Sequence, residues 1–290
     1  MRFNFLNKSL KTRKLKILYI YVTYMISPTL NYKSQSIDNR DYIHVPKLKA
    51  SPQVINNIQK ILLPVSPIMF FVKNYNVPIL DQLNLGSCVA NAFATCIRII
   101  TQQKLCSSRL FHYYNSRAMA GYTIEEDSGL EIRDACKSIV LYGVTQELNW
   151  KYVTPLFSVL PSLNSYIKTN LLPNFNYSFV NQDLNAIKLC LTTTNAPIIF
   201  GINVYDSFLT SSVAKTGIVP MPNTTTETLQ GGHCILMVGI DNKNQVFICI
   251  NSWGVSWGNK GFFTLPYNYV LNSNLSFDFC CISFTQTQYK

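Results

Sequence analysis

Cys88 stands where a thiol can do chemistry. The turn Gly86-Ser87 precedes it, and Val89 to Gln103 follows as fifteen residues without Gly or Pro, rich in Ala and Ile. That pattern predicts a buried helix with Ser87 as its cap and Cys88 in its first turn. A thiol becomes a strong nucleophile only as thiolate, and both a helix N-terminus and a nearby imidazolium favour that charge. The chain has three histidines from which to find the base. His44 lies in a Pro-rich arm, and His112 sits among Phe111, Tyr113 and Tyr114 on a predicted helix, the setting of a packed histidine. His233 follows Gly231-Gly232 and opens an apolar run, where backbones approach closely and a ring can face a cleft. Cys96, Cys136 and Cys249 read instead as small buried hydrophobes.

The elements that must position these groups change character along the chain. Helices are predicted over Val89–Gln103 and Arg109–Met119. A third starts near Ser128-Gly129, carries Ile132, Ala135, Cys136 and Ile139 at helical spacing, and ends at Gly143. After about Cys190 the texture becomes strand-like: Pro197 to Val204, Cys234 to Ile240, Val246 to Ile250 and Gly261 to Leu265, each bounded by Gly, Asn or Asp. Helices early and strands late predict an α+β molecule of two lobes, with a site between them.

Composition narrows the class. At 290 residues, 48% apolar and 13% charged, the chain can bury a core. No apolar run approaches the roughly 20 residues of a membrane-spanning helix, and there is no repeat. The net charge of +11 is local, because residues 1–50 hold ten Lys/Arg against two acids. Arg2, Lys8, Lys11, Arg13, Lys14 and Lys16 form a basic arm that either rests weakly on nucleic acid or anionic lipid or is simply solvated. The apolar run Ile17 to Ile26 has the length of a signal-peptide core. Its tyrosines and the poor cleavage site Ser27-Pro28-Thr29 favour an interfacial or buried segment. Nine scattered cysteines, an odd number with Cys280-Cys281 adjacent, suit a reduced intracellular or virion-associated protein better than a secreted one. No histidines pair at ligand spacing and no CxxC occurs, so neither metal nor cofactor is expected.

The motifs gather into one pattern. Gln82, Gly86-Ser87-Cys88, Gly232-His233 and Asn251-Ser252-Trp253-Gly254, followed by Trp257-Gly258 and Gly261, resemble the papain/cathepsin cysteine peptidases. His233 and Asn251 lie 145 and 163 residues beyond Cys88, close to the family spacing. The run Leu85 to Ala92, with Asn39-Arg40-Asp41-Tyr42 upstream, is similar to a branch found in bacteria and large DNA viruses. The resemblance spans roughly Asp38 to Phe284 and implies a papain-like fold, a helical lobe and a β-barrel-like lobe with the active site between them. It places a basic segment at 1–35, a propeptide-like arm at 36–74, and a peptidase domain at 75–290 divided near 190.

That resemblance implies a cysteine endopeptidase acting on polypeptides through a thiolate–imidazolium pair. Cys88 would attack, His233 would carry the proton, and Asn251 would orient the imidazole. Gln82 and the Cys88 N–H would form the oxyanion hole, with Trp253 covering the His–Asn contact. Ser128-Gly129 would supply the cleft wall. Gly201 and Gly232 would line a roomy pocket for the second residue before the cut, one suited to bulky apolar side chains. Two departures stand out: Leu85 replaces the usual disulfide cysteine, and Val89 the usual tryptophan. The arm lacks the helical pattern of cathepsin propeptides, leaving a permanent extension or a removable blocking segment. An inactive scaffold or virion component, and a hydrolase of isopeptide or other amide bonds, are the alternatives.

Overall fold

A computed structural model describes residues 28–36, 38, 41–44, 61, 69–170 and 172–285. The cations from Arg2 to Lys16 and the apolar run Ile17 to Ile26 lie outside the described residues. In chain order the elements are β1 (Met69–Phe71), α1 (Cys88–Ile100), α2 (Arg109–Ala120), α3 (Ile132–Tyr142), α4 (Leu163–Ile167), β2 (Asn176–Phe179), α5 (Leu184–Thr194) and β3 (Ile198–Tyr205). They continue with α6 (Ser211–Thr216), β4 (Leu229–Asp241), β5 (Val246–Ile250), β6 (Phe262–Pro266), α7 (Tyr267–Leu271) and β7 (Ser276–Ser283). No helix among them is long and apolar enough to cross a membrane.

Helix α1 is the hinge of the architecture. Nearly every residue along it is buried, because it packs on α2 and α3 on one side and on β3 and β4 on the other. A helix that is apolar on all faces belongs inside a core. Its start differs from expectation in one respect. Ser87 stands at the N-cap position without a side-chain capping bond. Its hydroxyl is drawn instead to Tyr152 Oη at 2.6 Å and Asn91 Nδ2 at 3.0 Å. Helix α3 begins at Ile132, not at Ser128-Gly129, since Gly129 adopts φ +73°, outside the helical region. Helix α1 stops at Ile100, and Gln102 and Gln103 both turn to positive φ.

The strand lobe is one seven-stranded sheet of antiparallel pairs, ordered β2-β7-β3-β4-β5-β6 with β1 also on β4. Register shifts at Val204/Tyr205, Ile199/Gly201 and Met237/Gly239 supply the local bends that curve a sheet around its core. All four expected strands are present. Strand β4 starts five residues early, at Leu229, so His233 lies inside it rather than at its head. Beside this frame, residues 28–36 run along the seam between α1 and β4, and residues 41–44 lie against β2.

Candidate active site

Cys88 is the first residue of α1 and is fully buried. Burial pushes its thiol up to about 12, while backbone N–H groups of Cys234, Val89 and Cys88 itself act on the sulfur in the opposite direction. Desolvation therefore outweighs the helix N-terminus here. The Cys234 contact places the sulfur against β4, next to His233.

His233 is also buried, and burial lowers it to about 4 despite a bond to Asn251 that favours its charged form. The ring nitrogen Nε2 lies 2.8 Å from Asn251 Oδ1. That oxygen also accepts from the Ser252 backbone N–H at 2.8 Å. An atom that takes a backbone N–H is an acceptor, so Nε2 must be the donor and Nδ1 the nitrogen with a lone pair. Nδ1 is buried without a hydrogen-bond partner. Trp253 stacks over the imidazole, ring centroids 4.8 Å apart, and packs in turn on Trp257 and Phe208.

Gln82 is buried beside them. Its Oε1 accepts from the Ser252 hydroxyl at 2.6 Å, which turns Nε2 toward Leu85 O and Thr29 O, both at 3.1 Å. Tyr152 Oη donates to the Gln82 carbonyl at 2.8 Å. Ser252 and Tyr152 were not singled out from sequence. Ser252 was legible only as part of the Asn251-Ser252-Trp253-Gly254 block, and Tyr152 carried no signal.

The three glycines of the expected cleft wall and pocket all meet the same segment, the strap formed by residues 28–36. A Cβ on Gly129 would stand 1.7 Å from Asn31 O, and one on Gly232 2.3 Å from Tyr32 O. One on Gly201 would enter the Tyr32 ring at 2.1 Å. Only glycine permits this approach. Tyr32 N–H donates to Gly232 O at 3.0 Å, and Asn31 Nδ2 to Asp127 O at 2.7 Å. The Tyr32 ring stacks on Phe277 and its hydroxyl donates to Asp278 Oδ2 at 2.6 Å. Ser128 takes a lesser place, its hydroxyl turned back onto Gly129 O at 3.3 Å. His112 is the packed histidine expected: its Nε2 is 2.9 Å from Ala135 O and its ring meets Phe93 edge-on.

Comparison with known proteins bears on the family and the fold. Residues 72–280 match the family described as papain family cysteine protease. The chain is 38% identical, over 216 residues, to an uncharacterized peptidase C1-like protein of Acanthamoeba polyphaga mimivirus, covering 70% of this chain and 68% of that relative. Among solved structures it is similar to xylellain, a cysteine protease from Xylella fastidiosa, with TM-score 0.75 and 31% identity over 89% of this chain and 96% of that one. Recombinant stem bromelain precursor shares the fold at TM-score 0.57 and 16% identity, covering 83% and 76% of the two chains.

Proposed function

The chain belongs to the papain family of cysteine proteases, and from that premise we propose how its own residues divide the work of cutting a peptide bond. It is a cysteine-type endopeptidase with polypeptide substrates. Cys88 is the nucleophile, and His233 Nδ1 takes the thiol proton and later delivers it to the departing amine. Asn251 holds the ring in the tautomer that keeps Nδ1 available. The carbonyl under attack places its oxygen between Gln82 Nε2 and the Cys88 N–H, and water then releases the acyl group from sulfur. The observation that carries this reading is the Ser252–Asn251–His233 chain of hydrogen bonds, which leaves one buried, unpartnered imidazole lone pair on β4, one residue before Cys234, whose N–H meets the Cys88 sulfur. Alkylation by iodoacetamide, mapped by mass spectrometry once the strap is displaced, tests it. Modification should concentrate on Cys88 and be lost in His233→Ala, whereas equal labelling of several cysteines would reject it.

Gln82 has the most specific expectation. Gln82→Ala should lower kcat by roughly 10²-fold, as loss of one oxyanion donor does, with KM little changed. Steady-state kinetics on strap-free enzyme would show it, and an unaltered kcat would remove Gln82 from the oxyanion hole.

Residues 28–36 hold this enzyme latent. Thr29 O occupies the amide of Gln82, and Tyr32 fills the pocket of Gly201, Phe277 and Asp278. In a substrate, the residue in that pocket precedes the attacked carbonyl. In the strap, Tyr32 follows Thr29, so the segment runs backwards and blocks without being a substrate. The ion pair of thiolate and imidazolium belongs to the open form. Tyr32 also indicates what the pocket accepts: a large aromatic ring, with Asp278 in reach of a hydroxyl. In a peptide series varied at that position, tyrosine should outrun alanine, and the reverse order would reject the assignment.

Latency acquires a pH dependence. Closed, burial raises the Asp278 carboxyl; open, it returns to the ordinary carboxylate range, so the closed form holds this proton more tightly and falling pH favours closure through Asp278. Cys88 and His233 offset one another, because the closed pair of thiol and neutral imidazole carries one proton and so does the open ion pair. The ratio of Cys88 alkylation at about pH 5 to that at about pH 7 should therefore be higher in Asp278→Asn than in the parent. Equal ratios would dismiss the coupling.

We further propose that the peptidase domain begins near residue 75, with the segments at 1–35 and 36–74 as its regulatory arm. A reducing intracellular or virion-associated setting fits the nine free thiols and the viral relative. Recovery of the protein only from a secreted, disulfide-bonded pool would contradict that. The basic arm would add weak contact with an anionic surface or nucleic acid. Retention on heparin that is insensitive to deleting residues 1–16 would contradict it.

A further inference from the structure

Adjacent residues on a strand point to opposite faces, and β7 does this with Cys280 and Cys281. Cys280 Sγ lies 3.8 Å from Cys136 Sγ of α3. Cys281 turns the other way, toward Cys190 of α5, and a third donor reaches them from the arm. Backbone pairing delivers it: His44 N–H donates to Phe179 O and Phe179 N–H to Tyr42 O, both at 2.7 Å. The two sulfurs of Cys190 and Cys281 and a ring nitrogen of His44 all lie within 4.8 Å of one another. His44 Nε2 is buried and without a hydrogen-bond partner, while Nδ1 is 3.4 Å from Ser178 Oγ. A donor hydrogen on Nδ1 leaves the Nε2 lone pair free for a ligand, the outer-shell arrangement that orients a metal-binding imidazole.

We propose that His44, Cys190 and Cys281 bind one zinc ion, which fastens the N-terminal arm to the strand lobe. Two thiolates balance the charge of the dication and the imidazole adds none, so the buried site is neutral overall. Nitrogen and sulfur donors select zinc over hard cations, and three protein ligands leave the fourth position for water. The two thiol protons leave to solvent as the ion enters. The absence of CxxC or paired histidines does not bear on this site, because its donors come from three distant stretches that only the fold assembles.

Cobalt(II) titration of the full chain tests the site, in a Cys88→Ala background that removes the competing active-site thiol. The expected result is one equivalent of cobalt bound with a thiolate-to-metal charge-transfer band, displaced by zinc. His44→Ala should weaken binding by roughly tenfold or more, Cys190→Ala and Cys281→Ala should each diminish the band, and Cys249→Ala should leave it intact. Zinc should also raise Tm in the parent and not in His44→Ala, a readout that survives any loss of stability in the cysteine variants. Absence of the band, a band indifferent to Cys281→Ala, or a Cys190–Cys281 disulfide that persists under reductant would each overturn the proposal.

Discussion

Alanine at Cys88 or at His233 is expected to lower kcat/KM for peptide hydrolysis by roughly 10⁴-fold or more, and the double variant to lose little beyond either single one. The reason lies in the pairing of the two groups in the open form. A thiol supplies little thiolate at neutral pH without a base to take its proton. The imidazole, deprived of sulfur, has nothing to activate. The two therefore act as a unit, and their losses should not add. Either substitution leaves the lobes packed, so Tm measured alongside separates lost chemistry from lost fold. Additive losses would mean that the residues work independently, which the tautomer fixed by Asn251 and Ser252 does not allow.

Tyr32→Ala should have the second largest effect, in the opposite direction. The ring fills the space over Gly201, stacks on Phe277 and bonds Asp278. Truncating a buried aromatic costs about 3 kcal/mol, and the cost falls on docking of the strap. A shift of that size changes the open fraction by roughly 10²-fold, so Cys88 alkylation and peptidase activity should rise together without cleavage of the chain. Tyr42→Ala, in the same arm but largely exposed, should change neither. N-terminal sequencing after incubation, beside Cys88→Ala, decides whether the freed strap is then cut away. Unchanged alkylation in Tyr32→Ala would show that residues 28–36 are not the barrier.

The chemistry was legible in sequence where it depends on residue type. A nucleophile needs a sulfur and its base an imidazole, so Cys88 and His233 announced themselves, whereas Gly129, Gly201 and Gly232 came only through the family resemblance. Helix α1 was legible from its uninterrupted Ala and Ile. What stayed hidden acts through groups that every residue carries. Thr29 and Asn31 engage the cleft through backbone carbonyls. Strand β7 was missed for another reason, since Ser276 to Phe279 does alternate polar and apolar but only over four residues, the shortest run that signals a strand. Ser87 had the right type for a cap, yet Tyr152, some 65 positions away, claims its hydroxyl. The pairing of His44 with Cys190 and Cys281 likewise depends on contacts no local spacing encodes.

The stack of Trp253 on His233, with Trp257 edge-on behind it, has an optical consequence. Two of the chain's three indoles sit in the aromatic cluster of the proton-carrying ring, and a charged imidazole quenches an indole it touches. The native fluorescence of this protein is thus dominated by its own groove, giving a label-free gauge of the ring's protonation in real time.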